Sequence, residues 1–99
     1  MLYLILLDYL RPLSEVDAHL EPHRAFLRRH FEAGHFLLSG PKEPRTGGVI
    51  LARARTEQEV SKWIAEDPFY QQGIARFEVI AWSATMSQPQ WPLESIAPV

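Results

Sequence analysis

The 99-residue sequence contains no cysteine, and this absence removes several classes of chemistry at once. Without cysteine there is no disulfide framework, no thiolate nucleophile and no zinc site built on thiolates. Glycine is scarce, and no glycine-rich phosphate loop follows a predicted strand, since Gly47 and Gly48 precede one. The sequence gives no support for a nucleotide, and we expect no cofactor.

An excess of positive charge is also missing. Ten basic and twelve acidic residues give a net charge of -2, whereas a protein that follows nucleic-acid phosphates needs clustered positive charge. The densest basic cluster, Arg24, Arg28 and Arg29, lies beside Glu21 and Glu32 and is typical of a solvent-exposed helix face. We expect no nucleic-acid partner.

Long hydrophobic runs are absent as well. The apolar run at residues 1–7 is far shorter than the roughly 20 residues that a membrane span needs, and it lacks the basic segment of a signal peptide. We therefore expect a cytoplasmic protein with no membrane partner. At 46% hydrophobic, the chain is long enough for one domain with a buried core.

Four segments have the composition of β-strands. The run at residues 2–7 is continuously apolar, which indicates a strand that is buried on both faces or central in a sheet. The others contain short apolar or alternating stretches bounded by glycine and proline, and they lie at residues 35–39, 48–54 and 74–82.

Helices are predicted between these strands. The main helix spans residues 21–33 and ends at Gly34. A short helical turn at residues 15–19 comes before it, where Ser14 and Asp17 have nearly the spacing of a capping box. On the main helix we expect Leu27 and Phe31 to face the sheet. A second helix begins at a capping box formed by Thr56 and Glu59, and it stops before Asp67-Pro68.

The order strand, helix, strand, strand, helix, strand predicts an α+β fold, the ferredoxin-like β-α-β-β-α-β sandwich with an antiparallel sheet and both helices on one face. The other face would be open, and Ile80 and Trp82 could pack there against a second copy, so we expect a homodimer. The domain is predicted at residues 1–82. Residues 83–99 form a Pro-rich arm whose apolar residues should pack on the domain or a partner subunit: Trp91, Leu93 and Ile96.

Several short motifs occur together in one order: His-Arg-Ala-Phe-Leu at residues 23–27, Gly34, Ser-Gly-Pro at 39–41, Arg-Thr-Gly-Gly-Val-Ile-Leu-Ala-Arg at 45–53, and Glu-Asp-Pro-Phe at 66–69. In this order they resemble the YCII-related (YciI-like) family over residues 1–82. The resemblance implies a dimeric α+β barrel, related in fold to muconolactone isomerases, and a catalytic histidine–aspartate pair that corresponds to His23 and Asp67. It also implies lyase or dehalogenase-like chemistry on small ring compounds.

The chemistry of such a pair is general acid–base catalysis. A histidine can take up and return a proton near neutral pH, and a carboxylate bonded to its other ring nitrogen fixes the tautomer. We therefore take His23 as the acid–base residue and Asp67 as the residue that orients it. Spacing alone leaves open that His23 is a boundary histidine and that Asp67 only ends a helix.

Further residues are predicted to bind the substrate. Arg45 could clamp a substrate carboxylate, or could be a loop arginine in solvent. Phe69 could form an apolar wall, or belong to the core. With Arg45, the residues expected at the mouth of the pocket are Ser39, Gly40 and Pro41.

The four histidines do not predict a metal site. His19 and His23 are four residues apart, but Pro22 lies between them and no acidic residue completes a HExxH pattern. His30 and His35 are interpreted as surface or boundary residues.

Together these observations predict a small cofactor-independent enzyme of the lyase, isomerase or dehalogenase type. It would act by proton transfer or elimination on a small, carboxylate-bearing organic substrate. Two alternatives remain open at this point: a non-catalytic small-molecule binding domain, and a structural dimer module.

Overall fold

A computed structural model describes residues 1–91, which form an antiparallel sheet with helices on one face. The strands lie in the order β2-β3-β1-β4, so β1 is central, as its apolar run predicts. This arrangement confirms the predicted ferredoxin-like α+β fold. The elements in chain order are β1 (Leu2–Tyr9), α1 (Leu13–Ala18), α2 (Leu20–Glu32), β2 (Phe36–Pro41), β3 (Gly47–Arg53), α3 (Glu57–Ile64), α4 (Pro68–Gln71) and β4 (Ala75–Trp82).

The core lies between the helices and one face of the sheet. One buried cluster contains residues from β1 and from all four helices, each at most 1% exposed: Ile5, Val16, Phe26, Val60 and Phe69. Both predicted helices therefore cover the same face. Because strand side chains alternate, the neighbours of Ile5 in β1 point to the opposite face.

Gly47 permits a close approach between β3 and β1. A Cβ at this position would lie 1.7 Å from the carbonyl oxygen of Leu7, so no other residue fits unless the backbone moves. The start of β3 therefore lies against the end of β1, where both strands border the cavity described below.

The buried stripe of α2 differs from the prediction. Leu27 is only partly buried and Phe31 is 38% exposed, whereas His23 and His30 are buried. The two imidazoles can lie inside because each is bonded to a carboxylate, which offsets the cost of burying a polar ring. The prediction that His30 is a surface or boundary residue is wrong, while His35 is half-buried as expected.

The start of α1 also corrects a prediction. Pro12 is the N-cap, and no side chain caps the helix. Ser14 lies inside the helix, so its predicted capping role is wrong; the carbonyl of Pro12 accepts the first N–H groups instead. Asp17, the other member of that pair, bonds Arg45.

The N-terminus of α3 agrees with the prediction, because Thr56 Oγ1 accepts the backbone N–H of Glu59 at 3.3 Å. The helix ends at Ile64. Asp67 and Pro68 then begin α4, a single turn that the sequence analysis did not predict.

The other face of the sheet is uncovered in the single chain, and part of it is apolar. Leu38, Ile80 and Trp82 are each at least 41% exposed, and a shallow cavity of about 380 Å³ opens there, bordered by Leu4 and Leu51. Residues 83–91 contain no helix or strand, and Trp91 is 49% exposed. Leu93 and Ile96, the other apolar residues of the predicted arm, lie outside the described residues. Within residues 1–91, no helix has the length and hydropathy to cross a membrane.

Candidate active site

Asp67 is held in place by the start of α4. Its Oδ1 accepts the backbone N–H of Phe69 at 2.9 Å, as expected of an N-cap, and Pro68 occupies the first helical position. The side chain is fully buried. Its Oδ2 has no hydrogen-bond partner within residues 1–91. The N-cap hydrogen bond thus orients the carboxylate independently of any contact with another side chain.

His23 lies near the start of α2, directly after Pro22, which is tolerated in the first turn of a helix. Its Nδ1 is 2.8 Å from Oδ1 of Asp67. When the carboxyl group is ionised it can only accept, so Nδ1 then carries the proton and the lone pair of the neutral ring lies on Nε2. No group within residues 1–91 bonds Nε2.

Phe69 fixes the plane of the imidazole. Its ring stacks on His23 with 4.0 Å between centroids and 4° between planes, and it is 1% exposed. The hydrogen bond to Asp67 fixes the rotation of the ring within its plane, and the stacking on Phe69 fixes the orientation of that plane. His23 is therefore preorganised by two residues that α4 places side by side.

A cavity of about 310 Å³ opens beside the histidine. An engineered apolar cavity of about 150 Å³ is enough to bind benzene, so this one accommodates a substituted single ring. Its walls are mainly apolar, with polar groups from α1, α2, β2 and the following loop. It is lined by Leu7, Asp17, Leu20, His23, Arg24, Leu27, Ser39, Gly40, Pro41, Arg45, Gly48, Val49 and Ile50.

An ion pair crosses one side of this cavity. Nη2 of Arg45 donates to Oδ1 of Asp17 at 2.6 Å and so ties the β2–β3 loop to α1. This hydrogen bond raises the pKa of Arg45 above its ordinary value. The Arg45 side chain is 37% exposed. It is therefore not a loop arginine free in solvent, and its guanidinium is not free to bind a substrate carboxylate while it is bonded to Asp17.

Comparison with known proteins places this chain in a family. Residues 1–83 match the sequence profile of the YCII-related domain. The chain belongs to the YCII-related family. The resemblance predicted from the motifs is thereby confirmed. Among curated proteins, none matches this chain.

A solved structure with a similar fold is the 5-chloro-2-hydroxyhydroquinone dehydrochlorinase TftG from Burkholderia phenoliruptrix AC1100, in complex with 2,5-dihydroxybenzoquinone. The two chains are 24% identical with a TM-score of 0.73, and the match covers 84% of this chain and 94% of that one. At this identity the likeness establishes the shared fold.

Most residues predicted for the site of this YCII-related domain lie together. His23 and Asp67 are in contact, and four further predicted residues line the same cavity: Ser39, Gly40, Pro41 and Arg45. Phe69 is not a wall of the cavity, since it lies behind the imidazole. The roles of these residues in binding and catalysis remain predictions.

Two charged residues of the cavity were missed by the sequence analysis. Asp17 was interpreted only as a helix-capping residue, and Arg24 as part of an exposed helix face. Arg24, Arg28 and Arg29 are all exposed as expected, but Arg24 also lines the cavity that His23 borders. The only sequence signal for Arg24 was its position beside His23 in the family motif.

A second group of titratable residues lies further along α2. Nδ1 of His30 is 2.9 Å from Nδ1 of His35, and Nε2 of His30 is 2.9 Å from Oε1 of Glu66. The ring of His35 stacks on Trp63 with 3.9 Å between centroids. Burial, with a further contribution from His30, lowers the pKa of His35 below its ordinary value.

Neither group of histidines forms a metal-binding cluster. Across residues 1–91, no three histidine, aspartate or glutamate side chains lie close enough together to hold a metal ion. His19, the fourth histidine, bonds the backbone carbonyl of Glu15 through Nδ1 at 3.0 Å.

Proposed function

We propose that this YCII-related domain is a small cofactor-independent enzyme in which His23 is the general acid–base and Asp67 orients it. One observation carries the proposal. The imidazole has one nitrogen bonded to a buried carboxylate, at 2.8 Å, while the same ring lines a cavity large enough for a small organic molecule. A structural module has no need of such a cavity, and a simple binding module has no need of the oriented imidazole.

The proposed reaction is proton transfer or elimination. The lone pair on Nε2 takes a proton from a C–H or O–H group of the substrate, and the electron pair of that bond either moves onto a conjugated oxygen or expels a leaving group such as chloride. Asp67 stabilises the imidazolium that results. The proton then returns to another atom of the substrate, as in an isomerase, or passes to water, as in a lyase or dehalogenase.

The structural neighbour supports a small ring as substrate. Its name describes removal of hydrogen chloride from a chlorinated hydroxyhydroquinone, and its complex contains a single-ring quinone. Loss of hydrogen chloride includes the loss of a proton, which is the step that an oriented histidine performs. We therefore propose hydroxylated or carboxylated single-ring compounds as the first substrates to test.

The test is turnover of a panel of such compounds, chlorinated and unchlorinated, followed by absorbance, chloride release and exchange of substrate protons with deuterium. We expect His23→Gln to reduce turnover by about 100-fold or more. His19→Gln is the matched control, because His19 is one turn away on the chain and is outside the cavity lining; its turnover should equal wild type. Full turnover in His23→Gln, or no reaction with any member of the panel, would contradict the proposal.

We also infer that the domain works as a homodimer through the open face of its sheet. The support is the exposure of Leu38, Ile80 and Trp82 on one apolar surface, since exposed apolar patches of this kind are typical of interfaces. Light scattering should give twice the chain mass for wild type and the chain mass for Ile80→Glu. Leu10→Glu, which places the same charge at an exposed residue outside this surface, should remain dimeric. A monomeric wild-type protein would refute the inference.

A further inference from the structure

Arg24 differs from Arg28, Arg29 and Arg45 in having no partner among residues 1–91. Arg28 donates to Glu21 at 3.1 Å, Arg29 lies 3.9 Å from Glu66, and Arg45 bonds Asp17. Within residues 1–91, no acidic side chain and no carbonyl group bonds the guanidinium of Arg24. Its charge is therefore the one cationic charge bordering the cavity that nothing in the described part of the chain compensates.

The position of Arg24 relates this charge to the proposed chemistry. Arg24 directly follows His23 in α2, and both residues line the same cavity. Ser39, on β2, also lines that cavity. One ligand in this cavity would therefore be bordered by both His23 and Arg24.

The walls of the cavity strengthen an interaction with an anion. The lining includes the aliphatic residues Leu20, Leu27 and Ile50, and a charge bordered by low-dielectric walls attracts a counter-charge more strongly than one on an open surface. A guanidinium presents its N–H donors in a plane, which matches a carboxylate or the oxygens of an ionised hydroxyquinone.

We propose that Arg24, rather than Arg45, binds the anionic group of the ligand, and that the ligand class is single-ring organic anions bearing a carboxylate or an ionised hydroxyl group. This inference rests on the proposed function only in that both use the same cavity. Binding by Arg24 does not require His23 to react.

Arg45 has a different role in this arrangement. Its guanidinium is already bonded to a carboxylate, and a ligand would have to displace Asp17 to use it. The pair holds the β2–β3 loop against α1 and so maintains one wall of the cavity. Arg45 is thus a positioning residue, and its removal should widen the cavity without removing the anion site.

The test is binding of benzoate, its neutral analogue benzamide, and 2,5-dihydroxybenzoquinone to the full chain, measured as dissociation constants from NMR titration of the backbone amides. Wild type should bind the two anions more tightly than benzamide, and added salt should weaken only the anions. Arg24→Gln should weaken anion binding about tenfold or more and leave benzamide unchanged. Arg24→Lys should recover part of the loss.

Arg28→Gln is the matched control, with the same chemical change one turn further along α2, and it should bind all three probes as wild type does. The inference is overturned if Arg24→Gln binds benzoate and 2,5-dihydroxybenzoquinone as tightly as wild type, or if neither anion shifts the resonances of cavity residues in wild type.

The same titrations separate this inference from the proposed function. His23→Gln should keep anion binding within about threefold of wild type, because the charge on Arg24 is retained. Loss of binding in Arg24→Gln together with full turnover in His23→Gln would support the anion site and refute the catalytic histidine. The reverse pattern would refute the anion site alone.

Discussion

Helix α2 carries two buried histidines, each bonded to a carboxylate, and only one of them borders a cavity. His23 and His30 are seven residues apart, which is two helical turns, and their partners Asp67 and Glu66 are consecutive. The nitrogen–oxygen distances are 2.8 and 2.9 Å. By hydrogen bonding alone the two pairs are nearly equivalent.

The difference lies at the second ring nitrogen. In His30 both nitrogens are engaged, Nδ1 with His35 and Nε2 with Glu66, and the ring is packed against Phe26 and Phe36. In His23 only Nδ1 is engaged by the residues described, and the ring borders the cavity. A buried histidine–carboxylate pair is therefore not by itself a sign of chemistry; an available nitrogen beside a ligand-sized space is the distinguishing feature.

The carboxylates differ as well. Asp67 is fully buried and its direction is fixed by the N–H of Phe69, whereas the side chain of Glu66 is 48% exposed and is shared with Arg29. Asp67 thus has a backbone-defined geometry. Glu66 can be replaced in part by water.

The largest expected effect is that of removing Asp67. Asp67→Ala deletes the N-cap of α4 and leaves a buried imidazole without its partner, and we expect it to lower the free energy of unfolding by about 2–4 kcal/mol. Glu66→Ala should lower it by about 1 kcal/mol, because water can reach the site it leaves. Urea unfolding followed by circular dichroism measures both. Equal losses of unfolding free energy in the two variants would show that the buried and the exposed carboxylate contribute equally to stability.

A smaller effect is expected for His30→Gln, which should change stability but not turnover. His30→Gln removes a ring packed between Phe26 and Phe36, and it should lower the free energy of unfolding by about 1–3 kcal/mol. Turnover per folded molecule should stay within about twofold of wild type, since His30 does not line the cavity. A tenfold fall in turnover in fully folded His30→Gln would show that the two histidines are coupled.

The structure also shows which features the sequence could predict and which it could not. The strand and helix order follows from local apolar patterns, and the dipeptide Asp67-Pro68 marks a helix boundary. The buried stripe of α2 could not be read locally, because His30 is buried only through a glutamate 36 residues away, while Phe31, more apolar, is left partly in solvent. The pairing of Arg45 with Asp17, and the opening of a cavity beside Arg24, likewise depend on tertiary placement.

The smallest effect is a dependence of stability on pH at the second pair. His35 is surrounded by His30, Glu59, Glu66 and Trp63, and burial, ahead of the effect of His30, holds its pKa below the ordinary value of 6.5. The unfolded chain therefore binds this proton at a higher pH than the folded chain. The contribution of His35 to stability is complete above pH 6.5 and is lost as the pH falls from 6.5 toward the lowered pKa.

Urea midpoints of wild type and His35→Phe, measured at several pH values above and below 6.5, test this dependence. As the solution becomes more acidic, the urea midpoint of wild type should fall relative to that of His35→Phe. A difference that is constant with pH would show that the proton on His35 is not linked to folding.

The cavity is assembled from two separable parts of the chain. The oriented imidazole rests on α2 and α4, whereas much of the opposite wall comes from β2, from the loop that carries Arg45 and from Asp17 in α1. Substitutions in this hairpin and in α1 can therefore reshape the ligand space while the proton-transfer pair stays as it is. Such a division marks the β2–β3 hairpin as the place to begin redesigning specificity.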